Sequence, residues 1–104
     1  APGEVLSYLN AELTSRVCVL GADPAAGLRQ QGLPESDYRG SRFKDSRVPL
    51  KGNEDVLCLT QPELVARVHR ESLLAGVDIC FTNTLGACAL GQEEYGLEAC
   101  ATEV

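Results

Sequence analysis

The chain has 104 residues, 44% of them hydrophobic, and a formal net charge of −6. That length allows one domain at most, and that apolar fraction supports a globular core rather than a disordered tail. The acidic balance argues against a nucleic-acid binder, which needs a basic face, and no apolar run reaches the roughly 18 residues of a membrane span.

Glu4 to Leu13 reads as a short helix, with Val5, Leu6, Leu9 and Leu13 at helical spacing. Val17-Cys18-Val19-Leu20 is a continuous apolar run ending at Gly21, the pattern of a strand covered on both faces. A helix is expected to start near Pro24, with Asp23 as its N-cap, and to stop by Gly32 or Pro34. The glycines after the first strand do not have dinucleotide-fingerprint spacing, and no phosphate-loop lysine follows.

Leu33 to Asn53 has little periodicity and is punctuated by Pro34, Gly40, Pro49 and Gly52. A loop of that length is usually functional or disordered, and Tyr38 and Phe43 suggest that it packs down. Val56 to Leu59 is a second apolar run, compatible with a short extended piece. Thr60-Gln61-Pro62-Glu63 fits a capping box. It opens a helix with Leu64, Val65, Val68 and Ala75 on one face and Arg67, Arg70 and Glu71 away from its centre, with Gly76 as its stop. His69, the one histidine, reads as an edge residue, neither a base nor a ligand.

Val77 to Phe81 is the next expected strand, ending on Thr82, Asn83 and Thr84. Polar side chains just past the C-terminal end of a parallel strand are where α/β proteins place ligands. The order strand, loop, helix, strand predicts two parallel strands joined by a right-handed crossover. Ala87 to Val104 is helix-prone, interrupted by Gly91 and Gly96.

Charge and cysteine usage add two expectations. Arg39, Arg42, Lys44, Arg47 and Lys51 face one acid, Asp45, within loop 39–51, whereas Glu93, Glu94, Glu98 and Glu103 have no base among them. Solvated faces explain both runs; the sharper alternative is a basic loop that docks on an acidic partner. Five cysteines (Cys18, Cys58, Cys80, Cys88 and Cys100) form no CxxC pair. Three lie in apolar runs, so a reducing, cytoplasmic setting is expected, as no basic segment leads into an apolar one as in a signal peptide.

The residues from Tyr38 to Leu97, YRG..FKD...PLKGNEDVL.LTQPE......H.E.LLAG.DI..TNT...A......YGLE, resemble the homocysteine-binding domain at the N-terminus of cobalamin-dependent methionine synthases. Leu9 to Leu20 look like the approach to that domain's first strand. FKD...PLKGN is the specific part; betaine–homocysteine methyltransferases share the AG.D....T.T pattern without that loop. The resemblance implies an α/β fold, a partial (β/α)8 TIM barrel of which residues 1–104 form only the first βα units. It also implies methyl transfer to the homocysteine thiolate, giving methionine, with zinc lowering the thiol pKa, cobalamin carrying the methyl group and methyltetrahydrofolate donating it.

The family's zinc ligands are three cysteines on later strands, and none of the five here matches them. Thr82, Asn83 and Thr84 are carried over as substrate-binding residues. The acid expected near the substrate amino group falls on Gly21, with Asp23 available after a two-residue shift, and the acid expected before Thr82 is Phe81. The expected function is therefore that of a truncated relative, catalytically silent alone and holding no zinc or cobalamin. It would associate with itself or with a protein partner. The alternatives are an interaction module built on the βαβ unit and loop 39–51, and a small-molecule binder without chemistry.

Overall fold

The computed structural model describes all residues, 1–104. Six short α-helices carry the fold: α1 Pro2–Ser15, α2 Pro24–Arg29, α3 Glu35–Arg39, α4 Leu57–Thr60, α5 Pro62–Leu74 and α6 Ala89–Glu93. Two 3₁₀ turns, Glu54–Val56 and Glu98–Cys100, complete them.

The expected parallel strands do not form, which overturns the partial barrel and the βαβ unit. Val17–Leu20 and Val77–Phe81 meet at a single parallel bridge, Leu20 with Ile79. The Gly21 N–H donates to the Ile79 carbonyl at 2.8 Å, and the Asp78 and Ile79 N–H groups donate to the Val19 carbonyl at 2.9 and 3.2 Å. A parallel pair is the weaker kind of ladder and is normally buried on both faces among further strands. Here Val17 is 85% exposed and Phe81 51% exposed, so neither segment has the cover a regular strand needs.

The helices follow local rules more closely. The Asp23 carboxylate accepts the Ala25 N–H at 3.0 Å and Pro24 takes the first position of α2, the expected N-terminus. α5 runs to Leu74, buries Val65 and Val68, and is followed by Gly76 at φ +109°, a conformation that favours glycine. Its start differs from expectation. Thr60 closes α4, with Oγ1 donating to the Val56 carbonyl at 3.3 Å, so Gln61 precedes α5 and makes no side-chain cap.

Val56–Leu59 also departs from the extended reading. It is a 3₁₀ turn running into α4, because a short apolar run suits a buried helical turn as well as a strand. The loop from Leu33 to Asn53 contains α3 and packs down through buried Tyr38 and Leu50. These two side chains form the core with Leu28, Val56, Leu57, Val65, Val68 and Leu97, and Leu33, Phe43, Leu64 and Tyr95 pack around it. The core therefore lies between α2, α4, α5 and the loop. α1 buries no residue.

Candidate functional site

Two adjoining hollows lie where α2, the 3₁₀ turn at Glu54–Val56 and the Thr82–Gly86 segment meet. The first, of about 370 Å³, is lined by Asp23, Phe81, Thr82, Thr84 and Leu85. The second, of about 320 Å³, shares Asp23 and Leu85 with it and adds Arg29, Glu54, Asp55 and Tyr95. Three of the four residues singled out from the sequence, Asp23, Thr82 and Thr84, thus come together on one open depression. The Thr82 and Thr84 hydroxyls share a hydrogen bond at 2.7 Å, which leaves each with further capacity for a ligand.

Asn83 has a different place. It is buried, and its Nδ2 donates to the Glu54 carbonyl at 2.8 Å. The Cys58 thiol donates to the Asn83 carbonyl at 3.4 Å, and burial raises the Cys58 pKa above that of a free thiol. Asn83 therefore ties the Thr82–Thr84 turn to the core, although its side chain also borders the second hollow.

The floor of the second hollow is a reciprocal amide pair. Asn53 Nδ2 donates to Gln92 Oε1 at 2.8 Å, and Gln92 Nε2 donates to Asn53 Oδ1 at 3.3 Å and to the Gly86 carbonyl at 3.0 Å. Both side chains are buried, and buried polar groups need such partners. Asp55 accepts the Gly86 N–H with both carboxylate oxygens, at 3.3 and 3.2 Å. Burial pushes its pKa up, against the Gly86 N–H, and the charge of Asp23 adds to the rise. A Cβ at Gly86 would stand 2.7 Å from Asp55 Oδ2, so a larger residue there would push the carboxylate aside.

Arg29, Glu54 and Asp55 were missed by the sequence reading. Glu54 and Asp55 had a signal, a pair of acids directly after the loop motif and before an apolar run; Arg29 had none. Loop 39–51 also differs from a free basic surface. Arg39 pairs with Glu35 at 2.8 Å and donates to the Ser46 carbonyl at 2.7 Å. Arg42 pairs with Glu103 at 2.9 Å and lies 5.1 Å above the Phe43 ring. Two of its five bases are therefore spent inside the chain.

His69 sits half-buried on α5, with Nδ1 2.9 Å from the Val65 carbonyl oxygen and Nε2 3.0 Å from that of Phe81. That is a tether between α5 and the extended segment, at the edge position expected.

The chain's own residues do not fit the zinc site that the resemblance implied. All five cysteines are free, and no three His, Cys, Asp or Glu side chains are grouped to hold a metal ion. No helix is long and apolar enough to cross a membrane. Residues 18–104 match the family described as homocysteine S-methyltransferase, a span that includes both hollows and all of the core.

Proposed function

The chain belongs to the homocysteine S-methyltransferase family, and from that premise we propose that it holds homocysteine in the hollow between Asp23 and Thr82–Leu85. The observation that carries this reading is the convergence of Asp23, Thr82 and Thr84 on one open depression beside Phe81 and Leu85. The hydroxyls and the carboxylate supply polar anchors, and the two apolar side chains suit a thiol-bearing carbon chain.

In this reading the family reaction is methyl transfer to the homocysteine thiolate, giving methionine, of the methionine synthase type. The chain contributes substrate holding and does not carry out the transfer by itself. Zinc ligands and the cobalamin and methyltetrahydrofolate that supply the methyl group come from outside these residues.

The test is an NMR titration of the labelled chain with L-homocysteine, with a parallel assay for methionine using methylcobalamin. Saturable shifts at Ala22–Ala25 and Thr82–Leu85, weakened in Thr84→Val, are expected, with no methionine formed. Shifts confined to other parts of the chain would remove the binding reading. Methionine produced at a rate that survives chelation and repurification would remove the silent one.

A further inference from the structure

His69 offers one ring to two acceptors. Its Nδ1 lies 2.9 Å from the Val65 carbonyl oxygen, one turn back on α5, and its Nε2 lies 3.0 Å from the Phe81 carbonyl oxygen. Neutral imidazole carries a single N–H, so in either tautomer one ring nitrogen turns a lone pair toward a carbonyl oxygen. The imidazolium carries two N–H groups and satisfies both acceptors. The charged ring completes this geometry and the neutral ring leaves one contact unmade.

No side-chain charge competes for the ring. Arg70 and Glu71 flank His69 on α5, and Asp78 and Cys80 lie on the Val77–Phe81 segment. α2 and α4 also pack on α5, bringing Arg29 and Cys58. None of the chain's ion pairs includes His69. Asp78 is engaged by Val19 and Arg16, Arg29 by Glu54, and the Cys58 thiol by the Asn83 carbonyl. The Phe81 carbonyl belongs to the peptide that leads into Thr82, and Phe81, Thr82 and Thr84 line the first hollow, where His69 itself does not reach.

We propose that His69 is a proton-dependent positioning residue: as the imidazolium it clasps the Phe81–Thr84 wall to α5, and on losing its proton it gives up one carbonyl and loosens that wall. The consequence for the ligand rests on the homocysteine-binding reading above. The hollow is better formed, and binds more tightly, where His69 is charged. Imidazole changes charge between about pH 5 and pH 8, so the clasp is complete at the acid end of that window and lost toward the other. His69 acts through Phe81 and Thr82 and touches no substrate atom.

NMR of the ligand-free chain from about pH 5.5 to about pH 7.5 reads the clasp directly, because His69 is the one histidine. The Thr82 amide shift is expected to follow the imidazole signal with a common midpoint, and to stay flat in His69→Gln. Isothermal titration with L-homocysteine at the two ends of the window should show wild-type affinity about two- to tenfold weaker at the upper end, the worth of one hydrogen bond. The variant should show equal affinity at both ends. The thiol and ammonium of the ligand titrate above this window. Should His69→Gln fail to fold by circular dichroism, the wild-type measurements decide. A Thr82 amide that ignores the imidazole titration would overturn the clasp. Equal wild-type affinity at both ends would overturn the positioning role while leaving homocysteine binding intact. A Thr82 amide that follows the imidazole in a chain that binds no homocysteine at either end would leave the clasp standing and remove the binding reading.

Discussion

Asp78 accepts the Val19 N–H through one carboxylate oxygen at 2.7 Å and the Arg16 guanidinium through the other at 2.9 Å. The backbone hydrogen bond from Val19 first, and the Arg16 hydrogen bond next, hold its pKa below the usual carboxylate value. A carboxylate with a depressed folded pKa contributes stability above its unfolded pKa, about 3.9 for Asp, and loses it as pH falls through the folded value. The urea midpoint of the wild type is therefore expected to fall as the pH drops below about 4. Asp78→Asn, which keeps one acceptor and loses the charge, should flatten that fall. Equal slopes in the two proteins would show that Asp78 does not link the segments electrostatically. The group is solvent-exposed, so salt should reduce the effect.

At the scale of elements, what was legible in the sequence was what local chemistry decides. Asp23-Pro24 fixes the start of α2 and Gly76 marks the end of α5, because a cap and a positive-φ stop each need only their immediate neighbours. Thr60 was misplaced because two helical turns abut there, and its hydroxyl turns back to Val56 rather than forward to Glu63. The strands at Val17–Leu20 and Val77–Phe81 were misread because apolar composition reports a preference for cover, and whether cover exists is not local information. The site shows the same division. Thr82, Thr84 and Asp23 came from a resemblance between motifs, whereas Arg29, Glu54 and Asp55 meet only through the packing of α2 on the 3₁₀ turn.

The same contrast separates α1 from α5. Both have apolar residues at helical spacing, but α5 buries Val65 and Val68, while on α1 Val5, Leu6 and Leu13 are 66%, 59% and 52% exposed. Isolated helices shorter than about 12–15 residues are marginal in water, and most helical stability in proteins comes from packing. Amide hydrogen exchange is expected to be fast across α1 and slow at the centre of α5. Val68→Ala should cost about 1–3 kcal/mol by urea unfolding, from lost apolar burial plus a cavity, and Leu6→Ala within about 0.5 kcal/mol. Protection of α1 equal to that of α5 would contradict this assignment of the core.

For the whole molecule, the radius of gyration is 16.2 Å and the longest extent 52 Å. A compact chain of this length would have a radius of gyration of about 13 Å, so much of the molecule lies outside the core. Buried residues number 14 of 104, while Val17, Leu74, Leu85 and Leu90 are each at least 80% exposed. Apolar surface left open on this scale favours association, opposed by the like charges of an acidic chain. The charge is spread over the whole chain, and its repulsion is screened beyond about 10 Å at 0.1 M salt; apolar contacts need no such range. Sedimentation of the purified chain at micromolar concentration should therefore show species heavier than the 11.1 kDa monomer, growing with concentration and with added salt. Placing charges on the open surface, as in Val17→Lys with Leu85→Glu, should shift the distribution toward monomer without changing the helical signal, because neither side chain belongs to the core. A wild type that stays monomeric across that range, with cooperative unfolding, would mean that the small core alone suffices and the open apolar surface does not drive assembly.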